Sequence, residues 1–180
     1  MSTILLFNAS NSSRSIHQNL LNAIAPLLST HKLCYASSLD FDLPFYSEDA
    51  ENEQGYPQAA KDFVALLHKH DAVILACPEH NGAPPAIFKN LYDWGTRAAK
   101  AEETTLFNQR KLLILTTSGG ERGGLTVQTY LKNITPFHGA TVVGAYSIGK
   151  YYDNFVDGQP TPAANQILQA AADDLQQALA

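Results

Sequence analysis

The chain alternates short apolar runs, each ended by turn-forming residues, with stretches whose apolar positions recur every three or four residues. The runs are TILLFN (3–8), KLCYAS (32–37), AVILAC (72–77), KLLILTTS (111–118) and ATVVGAYS (140–147). Near-continuous apolar runs of this length read as strands covered on both faces. Between them Ile16, Leu20, Ile24, Leu27 and Leu28 fall at helical spacing, as do Phe63, Leu66 and Leu67. PAIFKNLYDWGTRAAK reads as a helix opened by proline, which the first turn tolerates because its N–H has no partner there. GGLTVQTYLKNI predicts a short helix, and a last helix puts Ile167, Leu168, Ala171, Leu175 and Leu179 on one face. Residues 38–57, SLDFDLPFYSEDAENEQGYP, show no apolar period and predict a long connection, of a kind that is often functional.

Alternation of strand and helix from end to end predicts an α/β fold with a parallel sheet, helices on both faces and right-handed crossovers. Five strands fit the flavodoxin-like order 2-1-3-4-5, with residues 1–180 taken as a single domain. In such a sheet ligands bind at the carboxyl ends of the strands, beside the point where strand order reverses. The loops after the first, third and fourth strands are therefore the places to look for chemistry.

Composition narrows the classes. A chain of 180 residues with 45% hydrophobic content can bury a full core without disulfides or a structural metal. The net charge of −5 argues against nucleic acid as partner. No apolar stretch approaches the roughly 18 residues of a membrane span. The first residues, MSTILLFNAS, carry no basic segment before their apolar run, so the expectation is a cytoplasmic protein without a signal peptide. Cys34 and Cys77 lie in or beside strand-like runs and are expected to be buried, reduced thiols. No His, Cys and carboxylate set has metal-ligand spacing, and there is no nucleophile elbow. His68 and His70 read as decoration of a helix C-terminus.

After the first strand, NASNSSRSIHQNLL crowds Ser10, Ser12, Ser13 and Ser15 in front of a helix that begins near Ile16 and His17, with Arg14 adding a cation. Hydroxyls and free amides at a helix N-terminus suit a phosphate dianion. An N-cap alone would need only one of the serines. Neither GxGxxG nor GxxxxGK[ST] is present, which points away from a glycine-read dinucleotide or a P-loop and toward a mononucleotide phosphate. After the third strand, Pro78, Glu79, His80, Asn81 and Gly82 form a polar string stiffened by Pro84 and Pro85. The residues alone leave two readings: a polar edge for a planar heterocycle, or a rigid turn facing water. After the fourth strand, TTSGGERGGLTV offers glycines that let backbone donors approach a ligand. Arg122 is a candidate for the same edge. Tyr151 and Tyr152 read equally as an aromatic rim or as packing, and Phe41–Tyr46 as a pocket wall or as loop packing.

PEHNGAPPAIFKNLYDW resembles the signature of the NADPH-dependent FMN reductase family, close to P-E-Y-N-G-S-x-P-x-x-L-K-N-x-x-D-W. Pro78, Glu79, Asn81, Gly82, Pro85, Lys89, Asn90, Asp93 and Trp94 match it. The first loop resembles the family's G-S-x-R-x-x-S-x-N phosphate loop at Ser10 and Ser15, with Ser12 in place of arginine and His17 in place of asparagine. Ser118, Gly119, Gly120 and Gly124 match its S-x-G-x-x-G-G segment, beside the flavin's pyrimidine edge.

The resemblance implies bound FMN, with NADPH or NADH as co-substrate. It implies electron transfer to a small-molecule acceptor (quinone, azo dye, metal oxyanion or free flavin) by ping-pong kinetics. Hydride passes through the flavin, so no acid–base catalytic residue is expected. It also implies a homodimer or dimer of dimers, with Trp94 and its helix as candidate contacts. The alternatives on the same fold are a non-enzymatic electron carrier or flavin-binding module, and a flavin-free binding or regulatory protein. Two departures stand out: His80 replaces the loop tyrosine that lies against the flavin ring, and Ala83 replaces a serine. An imidazole titrates near neutral pH, so protonated His80 is expected to favour a negatively charged ring and raise the midpoint potential in acid.

Overall fold

The computed structural model describes residues 1–180. β1 (Thr3–Asn8), β2 (Lys32–Ser37), β3 (Ala72–Ala76), β4 (Lys111–Thr117) and β5 (Thr141–Ile148) form one parallel sheet in the order β2-β1-β3-β4-β5. The expected flavodoxin-like order is the one found. Within each central strand, alternate residues feed opposite cores. Leu5, Phe7, Val73, Leu75, Leu112 and Ile114 face α3 (Gln58–His68), α4 (Ala86–Ala101) and α5 (Leu125–Ile134). Ile4, Leu6, Ala72, Ile74, Leu113 and Leu115 face α1 (Ile16–Ile24) and α7 (Pro162–Leu179). This two-sided burial is why the strands carry almost no polar positions.

The first core is aromatic. Phe7 packs tilted on Phe63 at 5.4 Å and on Phe88 at 6.0 Å. Trp94 is 1% exposed and meets Tyr46 edge-on at 5.1 Å. Trp94 is thus a core residue, which removes it as a candidate subunit contact: its apolar bulk is already spent inside the chain.

The connection 38–57 is more ordered than its composition suggests. It holds the short helix α2 (Glu48–Gln54), capped by the Ser47 hydroxyl, which accepts from the Ala50 N–H at 3.0 Å. Glu48, Asp49 and Glu51 in the first turn complement the positive end of the helix. Glu51 accepts both Nε and Nη2 of Arg97, and also the hydroxyls of Tyr46 and Tyr56. These donors hold its carboxyl below the usual carboxylate range, the Arg97 hydrogen bonds contributing most. Asn90 and Trp94 grip the same connection, both donating to the Pro44 carbonyl. A second unforeseen piece follows β5: the single turn α6 (Tyr151–Asn154), then a small hairpin of β6 (Phe155–Val156) and β7 (Gln159–Pro160).

Candidate functional site

The loop after β1 is folded by its own side chains. Asn8, buried at the strand end, accepts from the Ser10 N–H at 3.1 Å and from the Ser15 hydroxyl at 3.4 Å. Ser10 Oγ accepts from the Ser12 amide, Ser12 Oγ from the Arg14 amide, and Ser15 Oγ from the His17 amide. The serines therefore build consecutive side-chain-to-backbone turns. The amides of Asn11, Ser13, Ser15 and Ile16 form no bond within the chain and remain free to donate. Hydroxyls that accept a bond keep a proton to give, so Ser10 and Ser12 retain donor capacity. With the positive end of α1 behind it, this loop suits an anion.

His17 is 3% exposed beneath that loop. Its Nε2 accepts from the Thr117 amide at the end of β4, at 3.4 Å. The ring also bonds the Cys77 carbonyl at the end of β3, which raises its proton affinity, but burial dominates and pushes the pKa down to about 4, helped by nearby His80. The imidazole is neutral, with Nε2 as acceptor, and it bridges the first turn of α1 to two strand ends.

The loop after β3 resolves the puzzle of its polar string. His80 and Ala83 exchange both backbone bonds, at 2.8 and 3.1 Å, and Asn81 and Gly82 between them have φ of 52° and 83°. This is a two-residue hairpin of the primed type, which demands positive φ at both central positions and so selects Asn-Gly. Asn81 and Gly82 shape the turn and lie outside the cleft. Glu79 Oε2 accepts from the amides of Thr126 and Val127, at 2.9 and 3.0 Å, capping α5 from a distant part of the chain. One oxygen of this carboxylate is thereby committed to the fold.

After β4, Ser118 and Gly120 give their carbonyls to Tyr151 and Lys150 on the loop beyond β5. The amides of Gly119 and Gly120 are left without a partner in the chain. Gly124 plays a different part from the expected one. It is the left-handed residue that starts α5, and a Cβ there would press on Thr116 at 3.2 Å, so close packing is its reason. Arg122 is also turned to local duty, donating to the Thr126 hydroxyl at 2.7 Å.

The three loops close on a single cleft of about 320 Å³. Ser10, Ser12, Arg14, Ser15, Ile16 and His17 line one end, and Pro78, Glu79, His80, Ser118 and Gly119 the other. Ser13, Asn81, Gly82, Gly120 and Gly124 of the expected set do not line it. Thr117, the last residue of β4, lines it although no sequence motif marked it, and so does Tyr152, for which a rim and packing were equal readings. Tyr151 is packing, buried and stacked on Phe155 at 4.8 Å, whereas Tyr152 is 74% exposed on the rim. A phosphate-bearing planar cofactor fits this arrangement, because unpartnered amides stand at both ends and the volume lies in the range of ligand clefts.

Elsewhere, His68 and His70 bond backbone carbonyls, of Thr105 and Leu66 respectively, in keeping with a helix end. Both thiols are free. Cys77 is buried as expected, and burial raises its thiol pKa; Cys34 is only half-buried, because β2 is the sheet edge. No group of three His, Cys, Asp or Glu side chains is placed to hold a metal, and no helix is long and apolar enough to cross a membrane.

Residues 2–153 match the family model described as NADPH-dependent FMN reductase. A Mycoplasma pneumoniae protein, the MG342 homolog, is 32% identical over 157 residues, spanning 87% of this chain and 92% of its own. The quinone reductase of Escherichia coli is 29% identical over 126 residues, spanning 69% of this chain and 65% of that enzyme. Among solved structures, FerB, a flavoenzyme NAD(P)H:(acceptor) oxidoreductase from Paracoccus denitrificans, superposes with a TM-score of 0.72 at 21% identity over 98% of each chain. An azoreductase from Bacillus anthracis gives 0.64 at 19% identity, over 99% of this chain and 98% of its own. At those identities the likeness is one of fold.

Proposed function

Because the chain belongs to the NADPH-dependent FMN reductase family, we propose that this oxidoreductase passes electrons from NADPH or NADH, through bound FMN, to a small organic acceptor of the quinone or azo class. The chemistry the cofactor supplies when bound is transfer of a hydride from the nicotinamide and delivery of its two electrons onward, with solvent providing the second proton that a quinone needs. The observation that carries this reading is the convergence of three loops on one cleft, with free amides at both ends.

In this reading the chain's own residues bind and orient. The amides of Ser15 and Ile16 and the hydroxyl of Ser12 hold the phosphate, with Arg14 as counter-charge. Pro78 and the backbone of Glu79 and His80 run along the flat ring, kept rigid by the Asn81-Gly82 turn and by the Glu79 anchor on α5. Gly119, whose amide has no partner in the chain, offers it to negative charge that develops at the ring edge. The nicotinamide and the acceptor use the same open space in succession, which gives a ping-pong mechanism. The proposed assembly is a homodimer or a dimer of dimers, tested by sedimentation equilibrium.

The deciding experiment is anaerobic addition of NADPH or NADH to the FMN-loaded protein. Loss of the 450 nm flavin band, restored by a quinone, supports the proposal, and parallel double-reciprocal lines support ping-pong order. A protein that takes up no FMN refutes it. One that binds FMN but is not bleached by either nicotinamide is a carrier instead.

A further inference from the structure

We propose that Tyr152 is a specificity-determining residue: its exposed ring is the wall on which planar aromatic acceptors stack when they enter the cleft. This rests on the reading of the cleft given above.

Exposure is the first argument. A tyrosine ring carries a large apolar surface, and 74% of this one is open to solvent although it lines the cleft. Rigidity is the second. The Lys150 amide bonds the Gly120 carbonyl at 2.8 Å and the Tyr151 amide bonds the Ser118 carbonyl at 2.9 Å, so the backbone leading into Tyr152 is tied to the β4 loop. Lys150 adds an ion pair to Glu121 at 2.8 Å. The Tyr152 ring stands edge-on to Tyr151 at 5.3 Å, and Tyr151 is itself fixed by Asn19 on its hydroxyl and by stacking on Phe155. A ring held this way loses little freedom when a ligand covers it.

Placement is the third argument. The ring lies over Gly119, where an added Cβ would come within 3.3 Å of it. Glycine at 119 thus lets the ring sit down on the loop whose amides have no partner in the chain. His80, a second flat side chain, lines the same cleft from the loop after β3. Two planar side chains thus line the cleft, and planar groups favour a flat ring over a bulky or spherical acceptor. A hydroxyl is not required for stacking, so phenylalanine should serve as well as tyrosine.

The test uses FMN-loaded wild type, Tyr152→Ala and Tyr152→Phe. Affinity of the oxidised protein for 1,4-naphthoquinone is read by equilibrium dialysis, with no turnover involved. Tyr152→Ala is expected to raise the naphthoquinone Kd about five- to tenfold, in line with loss of one aromatic contact, and Tyr152→Phe to restore it. The ratio of kcat/KM for naphthoquinone to that for ferricyanide, a compact octahedral acceptor, falls by the same factor in the alanine variant. An unchanged naphthoquinone Kd, or an unchanged ratio, overturns the proposal. So does a loss of FMN affinity equal to the loss of quinone affinity, because the ring would then be holding the cofactor. A wild-type protein that binds no FMN overturns the underlying reading of the cleft as well, which separates the two failures.

Discussion

Acidifying the protein tests whether His17 is the neutral bridge between α1 and the ends of β3 and β4. In the folded chain its pKa is pushed down to about 4, chiefly by burial. In the unfolded chain it returns to the ordinary value of about 6.5. Between those values the unfolded state takes up a proton that the folded state refuses, so stability falls as pH drops from about 6.5 to about 4 and levels off below. At pH 5 the linkage relation gives a loss of about 2 kcal/mol relative to neutral pH from this one group. The assay is urea unfolding of flavin-free wild type and His17→Asn at about pH 7.5 and about pH 5. Asparagine removes the titration, so the stability difference between the two proteins should shift by about 2 kcal/mol against the wild type on going to the lower pH. A difference that stays constant within about 0.5 kcal/mol would refute the reasoning, since the ring would then protonate in the fold as it does in the open chain. An NMR titration of the His17 ring in the folded protein reads the same quantity without unfolding it.

Three further outcomes follow from the site. Ile16→Pro deletes one free amide at the first position of α1, where proline fits a helix and Ser15 is already extended, at φ −68° and ψ 125°. FMN affinity should drop about tenfold with riboflavin affinity little changed, as for loss of one hydrogen bond to a charged group; equal losses would remove this loop from the phosphate. Glu79→Gln weakens the cap on the Thr126 and Val127 amides. It should cost about 1–2 kcal/mol in urea unfolding, and a neutral result would show that the anchor contributes little. His80→Tyr replaces an imidazole that lines the cleft, so the midpoint potential of bound flavin should shift; identical potentials in both proteins would show that residue 80 does not act on the ring.

The strands were legible because a sheet covered on both sides leaves a continuous apolar run that no other element needs. The helices α1, α3, α4 and α7 were legible for the matching reason: one face of each is buried and repeats with the helical period. α2 was not. It has no apolar stripe, and what secures it is Ser47 at its start and the distant Arg97 on Glu51. Only the serine followed by acidic residues could have hinted at it. Likewise the small hairpin after β5 has two-residue strands, too short to show a period.

At the site, the chain order of loops determined in advance where the cleft would lie, since parallel strands must all present their carboxyl ends to one side. Residue type also foretold that the loops after β1, β3 and β4 would supply polar groups there. Which atom of each residue does what was decided only in three dimensions. Glu79 is committed to α5 by a bond across 47 residues of chain. His17 is neutral because it is buried against Thr117, 100 residues away. Tyr152 reaches the cleft because its loop is tied to that of Gly120. Local periodicity records the burial of a face, so the elements and their order could be read from the chain. Hydrogen-bond partners and desolvation depend on groups far apart in sequence, and only the folded chain assigns them.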